Sequence, residues 1–98
     1  MAESGTFGFG ATPSVAVLAN RSSGFGGKGS RAVDAIVAAI SSRGVYPRVF
    51  MARRGRLQEA IAACREHAPD VVVVIGGDGT ILAAAEAFAG TATALAIV

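Results

Sequence analysis

The sequence holds one cysteine, Cys64, one histidine, His67, and no tryptophan. A lone cysteine excludes an internal disulfide, and with a single histidine nearby it excludes a closed zinc site of three or four such ligands. Charged residues are scarce at 16 %, and the net charge of +2 owes most to Arg48, Arg53, Arg54 and Arg56 in one stretch. That is too little and too local for the basic footprint of a nucleic-acid-binding protein. Long apolar runs are missing as well, none reaching the roughly 18 residues of a membrane helix. The start, Met1-Ala2-Glu3-Ser4-Gly5, lacks the basic segment of a secretory signal. The expected location is the cytoplasm, with no nucleic acid as partner.

Side-chain bulk is the other shortage, because the 98 residues include 13 glycines and 21 alanines. A chain of this length is one small domain with a modest core. What remains of the hydrophobic class is dominated by 11 valines and 6 isoleucines, bunched into short runs. Such bunches read as buried strands.

The order of elements follows from periodicity. Thr6 to Pro13 is rich in glycine and small residues without a period, so residues 1–13 read as a flexible leader. Val15 to Ala19 predicts a strand, and Ser30 to Arg43 predicts an amphipathic helix with Val33, Ile36, Val37 and Ile40 at helical spacing. Ser30 is its expected N-cap and Gly44 its stop. Val45 to Phe50 reads as a second strand, with Pro47 placing it at an edge. Arg56 to His67 reads as a second helix with Leu57, Ala60, Ile61 and Cys64 on one face. Val71 to Ile75 is apolar without alternation, as a central parallel strand covered on both faces must be. Thr80 to Phe88 and Ala94 to Val98 complete the series as a helix and a strand. The expectation is an α/β fold, an open, mostly parallel doubly wound sheet of four strands alternating with three helices. Leu95-Ala96-Ile97-Val98 has no cap or polar tail after it, so the chain is expected to be a piece of a larger protein.

Parallel strands bring the loops after the first and third to one carboxyl edge, where doubly wound folds bind ligands. Both loops are glycine-rich: Asn20-Arg21-Ser22-Ser23-Gly24-Phe25-Gly26-Gly27-Lys28-Gly29 and Gly76-Gly77-Asp78-Gly79-Thr80. Glycines permit positive φ and close approach of backbone N–H groups to an anion, and each loop opens a helix whose amino end favours negative charge. Two such turns facing one crevice predict a phosphate site. Asp78 places a carboxylate where the backbone otherwise attracts anions, which points to a metal bridge to phosphate or a base for a hydroxyl. Its competing role is to cap the third helix.

Other motifs fail. Gly24-x-Gly26-x-x-Gly29 has the spacing of a dinucleotide fingerprint, but it stands away from the first strand and has Arg53 and Arg54 where an acid is required after the second. Gly29 stands where a Walker loop needs Ser or Thr after Lys28. His67 reads as a solvent-facing residue at a helix end, Cys64 as core, and the arginines around Gly55 as a solvated face from which one could reach phosphate.

Asn20-x-x-Ser23-Gly24 after the first strand and Gly76-Gly77-Asp78-Gly79-Thr80 after the third resemble the diacylglycerol kinase catalytic domain family, which shares its glycine-aspartate motif and fold with NAD kinases. The resemblance covers Ser14 to Val98 and corresponds to the N-terminal nucleotide-binding lobe, the C-terminal lobe lying outside this sequence. It implies ATP-dependent phosphoryl transfer to a lipid hydroxyl of diacylglycerol or sphingoid type, with ATP and Mg²⁺ as cofactors. It also implies that Asn20, Arg21, Ser22, Ser23 and Gly24 and Gly76, Gly77, Asp78, Gly79 and Thr80 hold the nucleotide, Asp78 being the catalytic residue. The implied partners are ATP and a lipid, with peripheral membrane contact through the absent lobe; self-association through an unpaired strand edge is a further expectation. Arg21 departs from the family's usual Pro, and Met51-Ala52 from a Thr that often contacts nucleotide. Leu82-Ala83 stands where bacterial lipid kinases commonly have Asn-Glu, nearer to the NAD kinase style. Two other readings stay open: an NAD kinase-like phosphotransferase, and a non-catalytic nucleotide-binding module using Gly24 to Gly29 with Arg53 or Arg54.

Overall fold

The structure, a computed structural model, describes residues 12–20 and 27–98, and the side chains of all of these except 27–30. The elements are β1 (Val15–Asn20), α1 (Gly27–Ser41), β2 (Arg48–Ala52), α2 (Leu57–His67), β3 (Val71–Ile75), α3 (Asp78–Phe88) and β4 (Ala94–Ile97). All strand pairings are parallel, in the order β2-β1-β3-β4. The α/β fold with four strands and three helices is the one expected.

Strand alternation sorts the apolar residues onto two faces. Ala16, Leu18, Val72 and Val74 pack against Ile61 and Cys64 of α2 and Ala84 and Phe88 of α3. Val17, Ala19, Val73 and Ile75 meet Val33 of α1, with Ile36, Val37 and Ile40 flanking it. β3 is thus covered on both sides, which accounts for its unbroken valine run. Each large side chain buried here is worth about 1.5–3 kcal/mol. Leu18, wholly buried at the centre, belongs to the class whose truncation to alanine costs about 2–5 kcal/mol. Burial also pushes the Cys64 thiol up to about 11, so this cysteine is a small core hydrophobe rather than a nucleophile.

Placing α1 on one face and α2 with α3 on the other is what right-handed crossovers impose when the chain first moves from β1 outward to β2, then back past β1 to β3. The direction of winding therefore reverses between β1 and β3. That crevice is a topological switch point.

Several boundaries differ from expectation. β2 begins at Arg48, after Pro47, because proline has no N–H for the ladder and the register with β1 runs from Ala16↔Arg48 to Asn20↔Ala52. Val45, Tyr46 and Pro47 lie outside any strand, and Tyr46 is exposed. α1 begins at Gly27, so Ser30 lies in its first turn and is not the N-cap. α3 begins at Asp78, two residues before the expected Thr80. Gly44 takes the left-handed φ of +83° expected of a stop, at the end of a turn that follows Ser41.

Candidate functional site

The two glycine loops do leave the sheet at one edge, on either side of the switch point. Asn20 is the last residue of β1, and Gly76 follows Ile75, which pairs with Ala19. Asn20 and Gly76 therefore stand side by side where β1 and β3 end. Ala52, paired with Asn20 from the other side, brings the turn after β2 to the same edge.

The first contact of the site is a latch between the two strand ends. The side-chain amide of Asn20 donates from Nδ2 to Thr80 Oγ1 at 2.9 Å. Thr80 is buried to 3 % exposure, so its hydroxyl needs such a partner. Gly76 makes room for it: a Cβ there would lie 2.8 Å from both Cβ and Oγ1 of Thr80 and 2.9 Å from its Cγ2. Gly76, Thr80 and Asn20 form one unit that ties the end of β1 to the first turn of α3. Nothing in the sequence pairs Asn20 with Thr80; the contact exists only once β1 and β3 are neighbours.

The second feature is the open end of α3. Its N-cap is Gly77, with φ −84° and ψ −173° and no side-chain cap hydrogen bond. Asp78 is thus the first helical residue and is exposed, and the reading in which it caps the helix is corrected. The first ladder bond runs from the Ile81 N–H to the Gly77 carbonyl at 3.1 Å. The N–H groups of Asp78, Gly79 and Thr80 consequently have no acceptor within the helix. With the helix dipole they make a positive end beside an uncapped carboxylate.

Glycine's role in this loop also differs from expectation. Positive φ among the described residues is confined to Gly44, Gly55, Gly90 and Ala68, so Gly76, Gly77 and Gly79 do not use that freedom. A Cβ on Gly77 or Gly79 would meet nothing within 4 Å. Gly76 is required by the packing of this chain; among the described residues neither packing nor φ requires Gly77 or Gly79. Gly79 in particular sits in a helical turn, where glycine costs about 0.5–1 kcal/mol relative to alanine.

Of the remaining site residues expected from sequence, Arg21, Ser22, Ser23 and Gly24 lie outside the described residues. Among the described residues no group of three or more His, Cys, Asp or Glu side chains could hold a metal ion. His67 is exposed at the far end of α2, its ring 5.8 Å from that of Phe50 and tilted by 52°, and it takes no part. No helix among the described residues is long and apolar enough to cross a membrane.

A comparison with curated proteins finds no match. The sequence model described as the diacylglycerol kinase catalytic domain matches residues 14–98, which include every element of the sheet and both loops. The chain belongs to the diacylglycerol kinase catalytic domain family.

Proposed function

We propose that this member of a kinase family is the nucleotide-holding lobe of a lipid kinase, which transfers the γ-phosphoryl group of ATP to the hydroxyl of a diacylglycerol- or sphingoid-type lipid. The observation that carries the reading is the pair Gly77 and Gly79, glycines without a packing or conformational reason, on either side of the exposed, uncapped Asp78. A site that keeps its backbone bare at a helix amino end is shaped for close approach by a phosphate.

In this reading the N–H groups of Asp78, Gly79 and Thr80 donate to phosphate oxygens, and Gly77 and Gly79 leave the space those oxygens occupy. The Asn20–Thr80 hydrogen bond holds the end of β1 at a set distance from these donors, and Asn20, Arg21, Ser22, Ser23 and Gly24 are assigned to the same nucleotide in this reading. Phosphoryl transfer depends mostly on positioning and charge neutralisation, which preorganised donors supply without reorganising.

The donor set also fits Mg²⁺. That ion is usually held by one or two carboxylates plus substrate phosphates and water rather than by a protein cage, and a single exposed carboxylate beside a phosphate site is what Asp78 offers. The ion would neutralise charge on the phosphates. Asp78 is the catalytic residue in this assignment.

Calorimetric titration of the chain with ATP, in Mg²⁺ and in EDTA, tests the reading. The expected result is binding strengthened by Mg²⁺, with that gain reduced at least tenfold in Asp78→Asn. ATP affinity indifferent to both Mg²⁺ and the substitution would overturn it. In protein that also carries the second lobe, radiolabelled phosphate should pass to diacylglycerol or sphingosine and not to NAD; transfer to NAD would replace the lipid assignment.

A further inference from the structure

We propose that the outer edge of β2 is a docking site for an extended, acidic segment of a partner protein, which adds to the sheet as a further strand beside β2. The inference does not rest on the nucleotide site. β2 stands at one end of the strand order, so the backbone N–H and C=O groups on its outer side have no strand partner among the described residues. Such a row is a template for another chain. Residues 49–52 include no charge, and proline stands only before the strand, at Pro47. The devices that usually blunt an edge are thus absent from most of its length.

The apolar surface also runs past its cover. Val49 pairs with Val17 and Met51 with Ala19. The two β1 residues are buried with Val33 of α1, whereas Val49 is 40 % and Met51 37 % exposed. On the opposite face Phe50 of β2 and Ala60 and Ala63 of α2 line a groove of about 340 Å³ along the edge. A strand laid beside β2 alternates its side chains between these two faces, one set against Val49 and Met51 and the other in the groove. A lipid surface would leave the backbone groups of the edge unpaired; an extended peptide pairs them while it covers the side chains.

Charge selects the occupant. Arg48 opens β2, Arg53 and Arg54 follow its end, and all three are exposed. Arg53 lines the groove together with Arg56 and Glu59. Arg56 is committed to Glu59, Nη1 to Oε2 at 2.9 Å, whereas the guanidinium groups of Arg48, Arg53 and Arg54 have no ion pair or hydrogen bond among the described residues. The edge is therefore basic at both ends, about 16 Å apart at strand spacing. A second copy of this chain laid antiparallel on the same edge would set Arg48 of each against the Arg53–Arg54 turn of the other, and like charges oppose that pairing. A segment with carboxylates about five positions apart and apolar residues between them meets both ends with opposite charge.

Fluorescence anisotropy with three labelled peptides tests the proposal on the full chain. The first peptide alternates valine and threonine between glutamates at both ends, the second carries lysines at the ends instead, and the third is the acidic peptide with a proline at its centre. The first is expected to bind about tenfold or more tightly than either of the others and to slow hydrogen exchange at the β2 amides. Its affinity should fall about tenfold in Arg48→Gln/Arg53→Gln and less than about twofold in the charge control Arg31→Gln/Arg65→Gln. Equal binding of the proline peptide, or an equal loss in the control, would reduce the effect to net charge and overturn the added strand. No binding of the acidic peptide overturns it outright. A chain that sediments as a dimer with its β2 amides already protected would make a second copy the occupant. Binding to phosphatidylglycerol vesicles that is lost in Arg48→Gln/Arg53→Gln, by a chain that takes up none of the peptides, would assign the edge to a lipid surface and overturn the proposal.

Discussion

Asp70 and Asp78 stand at opposite ends of β3, and the chain uses them in opposite ways. At the amino edge Asp70 accepts from the Ser14 N–H through Oδ2 at 2.8 Å, its own N–H donates to the Ser14 carbonyl at 2.8 Å, and its carbonyl accepts from Ala94 at 2.9 Å. Next to it Thr93 Oγ1 donates to the Pro69 carbonyl at 2.7 Å. The starts of β1, β3 and β4 are thus tied together, and the carboxylate is committed to the fold. At the carboxyl edge Asp78 makes no cap bond, and its neighbouring amides and glycines are open. The same residue type at two ends of one strand is structural where its acceptors are occupied and available for chemistry where they are not. The polar groups at the amino edge are satisfied, whereas the end of α3 that is proposed to hold phosphate has no side-chain cap.

Of the substitutions at the two edges, Gly76→Ala should have the largest effect on stability, because the added Cβ meets Thr80 at 2.8 Å and Thr80 is buried. A loss of about 1–3 kcal/mol in urea unfolding is expected, together with weaker ATP binding as the Asn20–Thr80 latch shifts. It would show that even the open edge contains one structural tie. An unchanged midpoint would mean that Thr80 can move and that the latch is not rigid.

Asp70→Ala should cost about 1 kcal/mol, the worth of an exposed hydrogen bond, and leave the ATP affinity of the folded protein unchanged. Altered affinity in this variant would break the contrast between the two edges. Gly79→Ala sharpens it from the other side. With open space for the methyl group, alanine should stabilise α3 by about 0.5–1 kcal/mol while ATP affinity falls. A variant both more stable and equally good at binding ATP would show that the glycine serves no ligand.

Much of this arrangement was legible in the sequence. The unbroken Val71 to Ile75 run announced a strand covered on both faces, and Pro47 announced that the second strand lies at an edge, although the strand begins only after it. The glycine-aspartate loop stood out because three glycines around one acid have no counterpart elsewhere in the chain. Less legible was which glycine does what. Gly76 answers to the buried Thr80, whereas Gly77 and Gly79 answer to nothing among the described residues, and only the tertiary structure distinguishes them. Asp78 read as an acid for chemistry with capping as its competing role, since both place the same letter at a helix start. The Arg53–Arg54 turn read as a solvated face, and both side chains are exposed; that it follows the strand end paired with Asn20 was not legible, because the two are remote in sequence.

By itself, then, the sequence determined the parallel α/β class, the central strand and the glycine-aspartate loop in which the site is proposed, because hydrophobic period and glycine placement act over a few residues. The tertiary structure decided the rest. Strand order put β1 between β2 and β3, and that adjacency created the crevice, joined Asn20 to Thr80 and brought the arginine turn to the same edge. Such contacts depend on which strands become neighbours, and a local pattern carries no record of that choice.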